Sequence, residues 1–181
     1  VASEALRQLY EGDQDDRMRK RIDWKAVLKR DQERCAEIRY LLAAGEIQDG
    51  WDHYWAAVVL IHSNKACDIE NAFELARRAV ELEPQPQQIR AFYALAKDRL
   101  LLSRGEPQWY GTQKIVVDGE VVLAPIDPDA VTDEERTAMG VLTLGERNRE
   151  INFISRARAE QRRRAARSRH LQSEVDLETS T

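Results

Sequence analysis

Residues 68–105 read DIENAFELARRAVELEPQPQQIRAFYALAKDRLLLSRG, and the fold class turns on this stretch. Ala72, Leu75, Ala76, Ala79 and Val80 recur at steps of three and four, the spacing of a helix with one apolar stripe. Asp68 is placed to cap its start. Glu83-Pro84-Gln85-Pro86 ends it, because proline removes a helical donor and pushes the residue before it out of helical backbone. A second helix runs from about Gln87 to Ser103 and stops at Gly105. Two helices joined by so short a link pack as an antiparallel hairpin. The spacing from Phe73 to Pro84 resembles a tetratricopeptide repeat. No second copy stands at the repeat period of about 34 residues, so an ordinary helical hairpin fits the pattern as well.

The same reading extends to both sides. Upstream, residues from about Ser3 to Lys20 are rich in helix formers. Asp23 can cap a helix running to about Ala44, with Trp24, Val27, Leu28, Cys35, Ile38 and Leu42 on one stripe. Gly45 and Gly50 bracket the next connection, and a helix covers about Trp51 to Ser63. Downstream the period changes. Lys114–Val117 and Glu120–Leu123 flank Asp118-Gly119, a dipeptide that suits the tight turn of a β-hairpin over residues 114–123. Thr132 with Glu135 forms a capping box for a short helix, and a last helix begins near Leu144 and passes Ile151 and Ile154. Gln172 to Thr181 read as a loose tail. The expected fold is therefore mainly α, an antiparallel helical bundle with a tetratricopeptide-like helical hairpin and a small β-hairpin. Residues 1–155 form the helical domain with its hairpin insert, and residues 156–181 a basic helix and tail.

Composition narrows the class. At 43% hydrophobic and 33% charged over 181 residues, the chain can bury one core. A net charge of −4 argues against a protein built around nucleic acid or anionic lipid. No apolar run is long enough to span a bilayer or to serve as a signal peptide. Cys35 and Cys67 form neither a CxxC pair nor a disulfide framework. These features together suggest a cytoplasmic protein with free thiols and no membrane contact.

Four groups of residues could carry chemistry. His62 shares a stripe with Trp55, Val58 and Val59, so it stands on an apolar face, as a hydrogen-bonded core residue or as a ligand or base. Arg99 lies among Phe92, Leu95, Ala96 and Leu102, and Asp31 lies in the stripe of Val27, Leu28 and Cys35. A buried charge needs a partner, so these two either pair with each other or line a pocket. Gln108-Trp109-Tyr110-Gly111-Thr112-Gln113 offers an indole, a phenol, a hydroxyl, amides and a flexible glycine, suited to a polar ligand or to satisfying its own loop backbone. Arg156, Arg158, Arg162, Arg163, Arg164, Arg167 and Arg169 form a basic stretch without interleaved aromatics, better read as a solvated helix end than as a nucleic-acid surface. Phosphate loops, dinucleotide fingerprints, HExxH and GxSxG are absent from the sequence, and His53, His62 and His170 lack metal-ligand spacing.

The chain resembles an uncharacterised bacterial family, a domain of unknown function, from about Asp13 to Glu146. The shared pattern runs DQxxR (Asp13 to Arg17), a DxxN pair, an apolar helix ending in His62, Asp98-Arg99, then GxPQxYGTQ at Gly105 to Gln113. It closes on Arg136 before a Gly-Leu-like turn at Gly140-Val141. Asp31 matches the DxxN pair, but Arg34 stands where Asn is usual. The resemblance implies a helical domain with a small hairpin and no known reaction.

The matching positions are mostly polar: Asp13, Gln14, Arg17, Asp31, His62, Asp98, Arg99, Tyr110, Thr112 and Gln113. Polar matches spread over several elements suggest groups that converge on one site. On that reading the protein binds a polar or anionic small molecule, with or without catalysis. Asp13 and Asp31 would supply carboxylates, Arg17 and Arg99 anion recognition, and His62 or Tyr110 proton transfer. Gln14, Asp98, Gln108, Thr112 and Gln113 would complete the ligand-binding set. No metal is required and no cofactor is identified. The alternative is a helical protein-interaction module whose polar cluster is structural. The long last helix also leaves room for pairing with a second copy.

Overall fold

The computed structural model describes residues 3–178, with side chains described over residues 3–164 and at Arg167. Its helices are α1 (Glu4–Met18), α2 (Trp24–Ala43), α3 (Gly50–Leu60), α4 (Ala66–Leu82), α5 (Gln87–Ser103), α6 (Asp133–Ala138) and α7 (Leu144–Glu178). Strands β1 (Lys114–Val117) and β2 (Glu120–Leu123) form one two-stranded antiparallel sheet. The chain is thus mainly helical with a small β-hairpin.

Helix α3 is the centre. Ala56, Ala57, Val58, Val59 and Leu60 are all buried, which leaves the second half of this helix no exposed face. It packs against α1, α2, α4 and α5 at once. A capping box between Asp49 and Asp52 fixes its start. The Asp52 carboxylate also accepts from the Ser3 amide at 2.6 Å, which ties the head of α1 to the head of α3. Tyr10, Trp51, Tyr54, Trp55 and Phe92 pack as an aromatic cluster over that end, with centroid separations of 5.6 to 6.4 Å, within the favourable range for rings.

Helices α4 and α5 form the expected hairpin. Prolines 84 and 86 link one pair of ends, and at the other Arg104 donates to Glu70 at 3.1 Å. Asp68 is not the cap of α4, however. That helix starts at Ala66 with Lys65 as its N-cap, and Asp68 lies inside the first turn, fully buried. The α2 stripe is also shifted. Val27, Cys35, Ile38 and Leu41 face the core, whereas Trp24 and Leu28 are exposed.

The β-hairpin has the register Lys114–Leu123 through Val117–Glu120. Asp118 and Gly119 take φ values of 51° and 80°, both left-handed, as a two-residue turn of this kind needs. The hairpin lies along α7, where Ser155 Oγ donates to the Val121 carbonyl at 3.1 Å and Arg162 Nη2 donates to Glu120 at 2.7 Å. Helix α7 runs on to Glu178, through residues 172–178 that the sequence reads as a tail. Residues 179–181 of that tail, and the side chain of Arg169, lie outside the described residues. Among the described residues no helix is long and apolar enough to cross a membrane.

Leu60 is fully buried at the meeting point of the bundle. Leu60→Ala is expected to lower unfolding stability by about 2–5 kcal/mol, read as a lower urea midpoint with an unchanged slope.

Candidate functional site

Each buried carboxylate must find donors, and following those donors defines two separate groups. The first lies where α1, α2 and the end of α3 meet. On α1, Asp13, Asp16 and Arg17 fall at steps of three and four, so they share the face turned to α2. Asp13 and Asp16 are buried. Arg17 donates to Asp13 Oδ1 at 2.8 Å and to Asp31 Oδ2 at 2.8 Å. Arg34 donates to Asp31 Oδ1 at 2.9 Å, to the Gly12 carbonyl at 3.0 Å and to Asp16. Arg30 closes the array with a fork onto Asp16 at 2.7 and 2.8 Å.

Charges settle accordingly. Burial raises the Asp31 carboxyl, but hydrogen bonds from Arg17 and Arg34 outweigh it and hold the group below the ordinary carboxylate value. The Arg30 fork, working against desolvation and aided by Arg34, likewise lowers Asp16. Asp31 therefore pairs with Arg17 and Arg34, not with Arg99, which is exposed on the surface of α5.

His62 completes this group. Helix α3 ends at Leu60, and the following turn carries His62 back toward α1. Its Nδ1 lies 3.0 Å from Asp13 Oδ1, and Gln14 donates to the other Asp13 oxygen at 2.8 Å. A carboxylate only accepts, so Nδ1 carries a proton in this contact, and in the neutral ring Nε2 is then the acceptor. Among the described residues Nε2 has no partner. The ring lines a cavity of about 270 Å³ together with Asp31, Cys35, Arg39, Ser63 and Lys65. Leu28, Gln32 and Asn64 form the rest of its wall.

Beneath that wall, the wholly buried Asp68 accepts from Arg39 at 2.8 Å and from the Ser63 hydroxyl at 2.5 Å through Oδ2, while its Oδ1 has no partner among the described residues. Burial pushes the Cys35 thiol up to about 11, so it stays protonated and donates to the Val59 carbonyl at 3.6 Å. It is not a nucleophile at neutral pH.

The second group surrounds Asp98, which is buried on α5. Its carboxylate accepts four hydrogen bonds of 2.8 to 2.9 Å: from the amides of Trp109, Tyr110 and Thr112 and from the Thr112 hydroxyl. Gln108, fully buried, donates to the carbonyls of Gln113 and Ala124 and accepts from the Gln113 amide. Gln113 donates from its side chain to Thr112. Arg136 is 2% exposed and donates to the Trp109 carbonyl at 2.8 Å. Lys97 stands 4.2 Å above the Trp109 ring. Gly111 is not a flexible link: it is buried with φ at 76° and lies against Leu144 and Ile126. Burial pushes the Tyr110 phenol up to about 12, which keeps it protonated.

The sequence names eleven candidate site residues, and the structure divides them. Asp13, Gln14, Arg17, Asp31 and His62 assemble where α1, α2 and the end of α3 meet, and of these Asp31 and His62 line the cavity. Asp98, Gln108, Tyr110, Thr112 and Gln113 form the loop clamp, and Arg99 lines a separate groove beside Gln113. No hydrogen bond or ion pair joins the two groups among the described residues. Asp16, Arg30, Arg39, Ser63, Lys65 and Asp68 were not anticipated. Only Asp16 carried a local signal, its spacing from Asp13 in Asp13-Gln14-Asp15-Asp16. Arg34, where the resemblance leads one to expect Asn, is an integral part of the array. Among the described residues no group of three or more His, Cys, Asp and Glu could hold a metal ion.

A family model described as a family of unknown function (DUF6624) matches residues 45–155, more than half of the chain. The match takes in His62, Asp98 and the loop at 108–113, and it begins after α1 and α2. No curated protein and no solved structure matches.

Removing Asp31 leaves two guanidinium groups without their shared anion. Asp31→Ala is expected to cost about 3–5 kcal/mol in a denaturant melt at neutral pH. The carboxyls of Asp16 and Asp31 are lowered on folding from the ordinary value of 3.8. The stability they contribute is then complete above that value and lost as the pH falls below it. An acid melt of Asp31→Ala should show a shallower decline than wild type below this pH.

Proposed function

We propose, for a chain that belongs to the DUF6624 family of unknown function, that the cavity between α2 and the α3–α4 turn binds a small polar molecule and that the Asp13–His62 pair moves a proton there. One observation carries the reading. His62 Nδ1 is 3.0 Å from a buried carboxylate, while the same ring lines an open cavity with an unengaged Nε2. A carboxylate behind an imidazole sets its tautomer and orientation and stabilises the cation formed when Nε2 takes a proton. Imidazole is also the side chain best suited to accept and release a proton near neutral pH.

The roles divide by contact. His62 meets the ligand and is the catalytic candidate. Asp13 is a positioning residue, itself held by Arg17 and Gln14. Asp31 has both oxygens taken by arginines, so it shapes the wall and has no free lone-pair role as a base. Tyr110 belongs to the loop clamp and drops out as a proton donor. Size supports a small ligand. The cavity lies just below the usual range of about 300–1,000 Å³ for ligand sites.

A second reading, a helical interaction module with an architectural polar network, draws on the other group. The Asp98 carboxylate is fully engaged by the loop it organises. The tetratricopeptide-like spacing of α4 and α5 belongs to this reading as well.

Two measurements test the first reading. Nitrogen-detected NMR of the His62 ring should report the Nδ1–H tautomer when the imidazole is neutral, and a shift toward Nε2–H in Asp13→Ala. An Nε2–H ring in wild type would remove the dyad. A metabolite screen by thermal melt should find compounds that stabilise wild type but not folded His62→Ala. At a hundred times its Kd such a ligand contributes about 2.7 kcal/mol, a shift of roughly 5–10 °C for a chain of this size.

A further inference from the structure

The cavity wall contains more donor capacity than the protein uses. Among the described residues, Arg39 spends Nη1 on Asp68 and leaves Nε and Nη2 without an acceptor, the Lys65 ammonium has no ion-pair partner, and neither Gln32 nor Asn64 has its side-chain amide engaged. His62 Nε2, an acceptor in the neutral ring, joins these donors when the ring carries a second proton. On the acceptor side the wall offers Asp31, whose two oxygens already take three hydrogen bonds from Arg17 and Arg34. Asp31 is thus neutralised from behind. Of the two cations on the wall, Lys65 has no ion-pair partner among the described residues, and Arg39 is paired with Asp68 through one arm only, so an occupant bearing negative charge would meet one unpaired ammonium, the free arm of a guanidinium and no free carboxylate oxygen on the wall. Helix α4 begins at the same rim, and Lys65 gives it no side-chain cap, so its positive end adds to a field the two cations already set.

We infer that the ligand of this cavity carries an oxyanion, a phosphoryl or carboxylate group, and that Lys65 and Arg39 bind it beside His62. The inference rests on the proposed ligand-binding role of the cavity and names the chemical class of its ligand. It also reassigns anion recognition. Arg99 is on another surface, and Arg17 is occupied by Asp13 and Asp31. Lys65, a point charge on a flexible stem, and Arg39, a planar fork with one arm fixed by Asp68, replace them. The volume of about 270 Å³ suits a molecule the size of a short-chain acid or a sugar phosphate. With the oxyanion seated at Lys65 and Arg39, the remainder of such a molecule lies within reach of the His62 ring.

The test is an NMR-monitored titration of the full chain at constant ionic strength, once with inorganic phosphate and once with acetate. Wild type, Lys65→Ala and Lys65→Glu are compared. Lys65 is exposed and unpartnered, so both variants should fold as wild type. The expected result is saturable movement of the 62–66 amide signals and the His62 ring, about tenfold weaker in Lys65→Ala and abolished in Lys65→Glu. Saturation by phosphate assigns a phosphoryl group and saturation by acetate a carboxylate, and either upholds the inference. Absence of saturation with both anions, or equal affinity in Lys65→Glu, overturns it. The tautomer of the ligand-free His62 ring is read in the same samples. An Nδ1–H ring without anion binding leaves the Asp13–His62 dyad standing and removes only the anionic class.

Discussion

The second half of helix α3, Ala56 to Leu60, has no exposed face, and that constraint organises the rest of the molecule. A segment buried all round must be covered by neighbours on every side, and α1, α2, α4 and α5 pack against this helix. Surrounding it in this way dictates where its end emerges. The turn after Leu60 comes out between α1, α2 and the start of α4, so the first side chains free of the core, His62 and Ser63, are delivered to a junction of helices. The polar site is thus a result of how the apolar helix is enclosed.

The chain meets the cost of buried carboxylates in two ways. Asp16 and Asp31 are each shared by two arginines, Arg30 with Arg34 and Arg17 with Arg34, and Asp13 is satisfied by Arg17, Gln14 and His62 together. Asp98 is satisfied almost wholly by backbone amides, and so acts as the template around which residues 109–112 are wound. The difference has chemical meaning. Amide donors are fixed by the chain and present no choice of partner. An arginine array places mobile charge beside a cavity, where a histidine can be held in one tautomer and still face solvent.

Much of the fold was legible. The limits of α2 and α5, the Asp-Gly turn, the strand register it implies and the Thr132–Glu135 box all follow from local rules, because each depends on residues within a few positions of one another. Errors arose where one residue of phase decides the outcome. Arg99 stands among Phe92, Leu95 and Leu102, but those three are only half-buried; the buried face of α5 centres on Ile89, Ala96 and Leu100, and its inward polar residue is Asp98. The cap of α4 was placed on Asp68 for a similar reason. Asp68 is the residue type that caps a helix by its side chain, whereas α4 starts at Lys65, which makes no cap bond, because the course of the turn after α3 sets that start. His62, Asp13, Asp31 and Arg17 could be named individually. Their separation from the loop residues, and the presence of Arg39 and Lys65 on the wall, depend on how α2 crosses the α3–α4 turn, which no periodicity encodes.

The hairpin's attachment has a consequence of its own. Its links to α7 include Lys114–Glu150 and Arg162–Glu120 ion pairs at 3.0 and 2.7 Å, with a small apolar contact around Val121 and Ile151. Strand β1 is exposed along its whole length. Ion pairs at the surface weaken as salt screens them, whereas the apolar bundle around α3 does not depend on them. The amides of residues 114–123 are therefore expected to exchange with solvent through local openings smaller than global unfolding, and more readily as ionic strength rises.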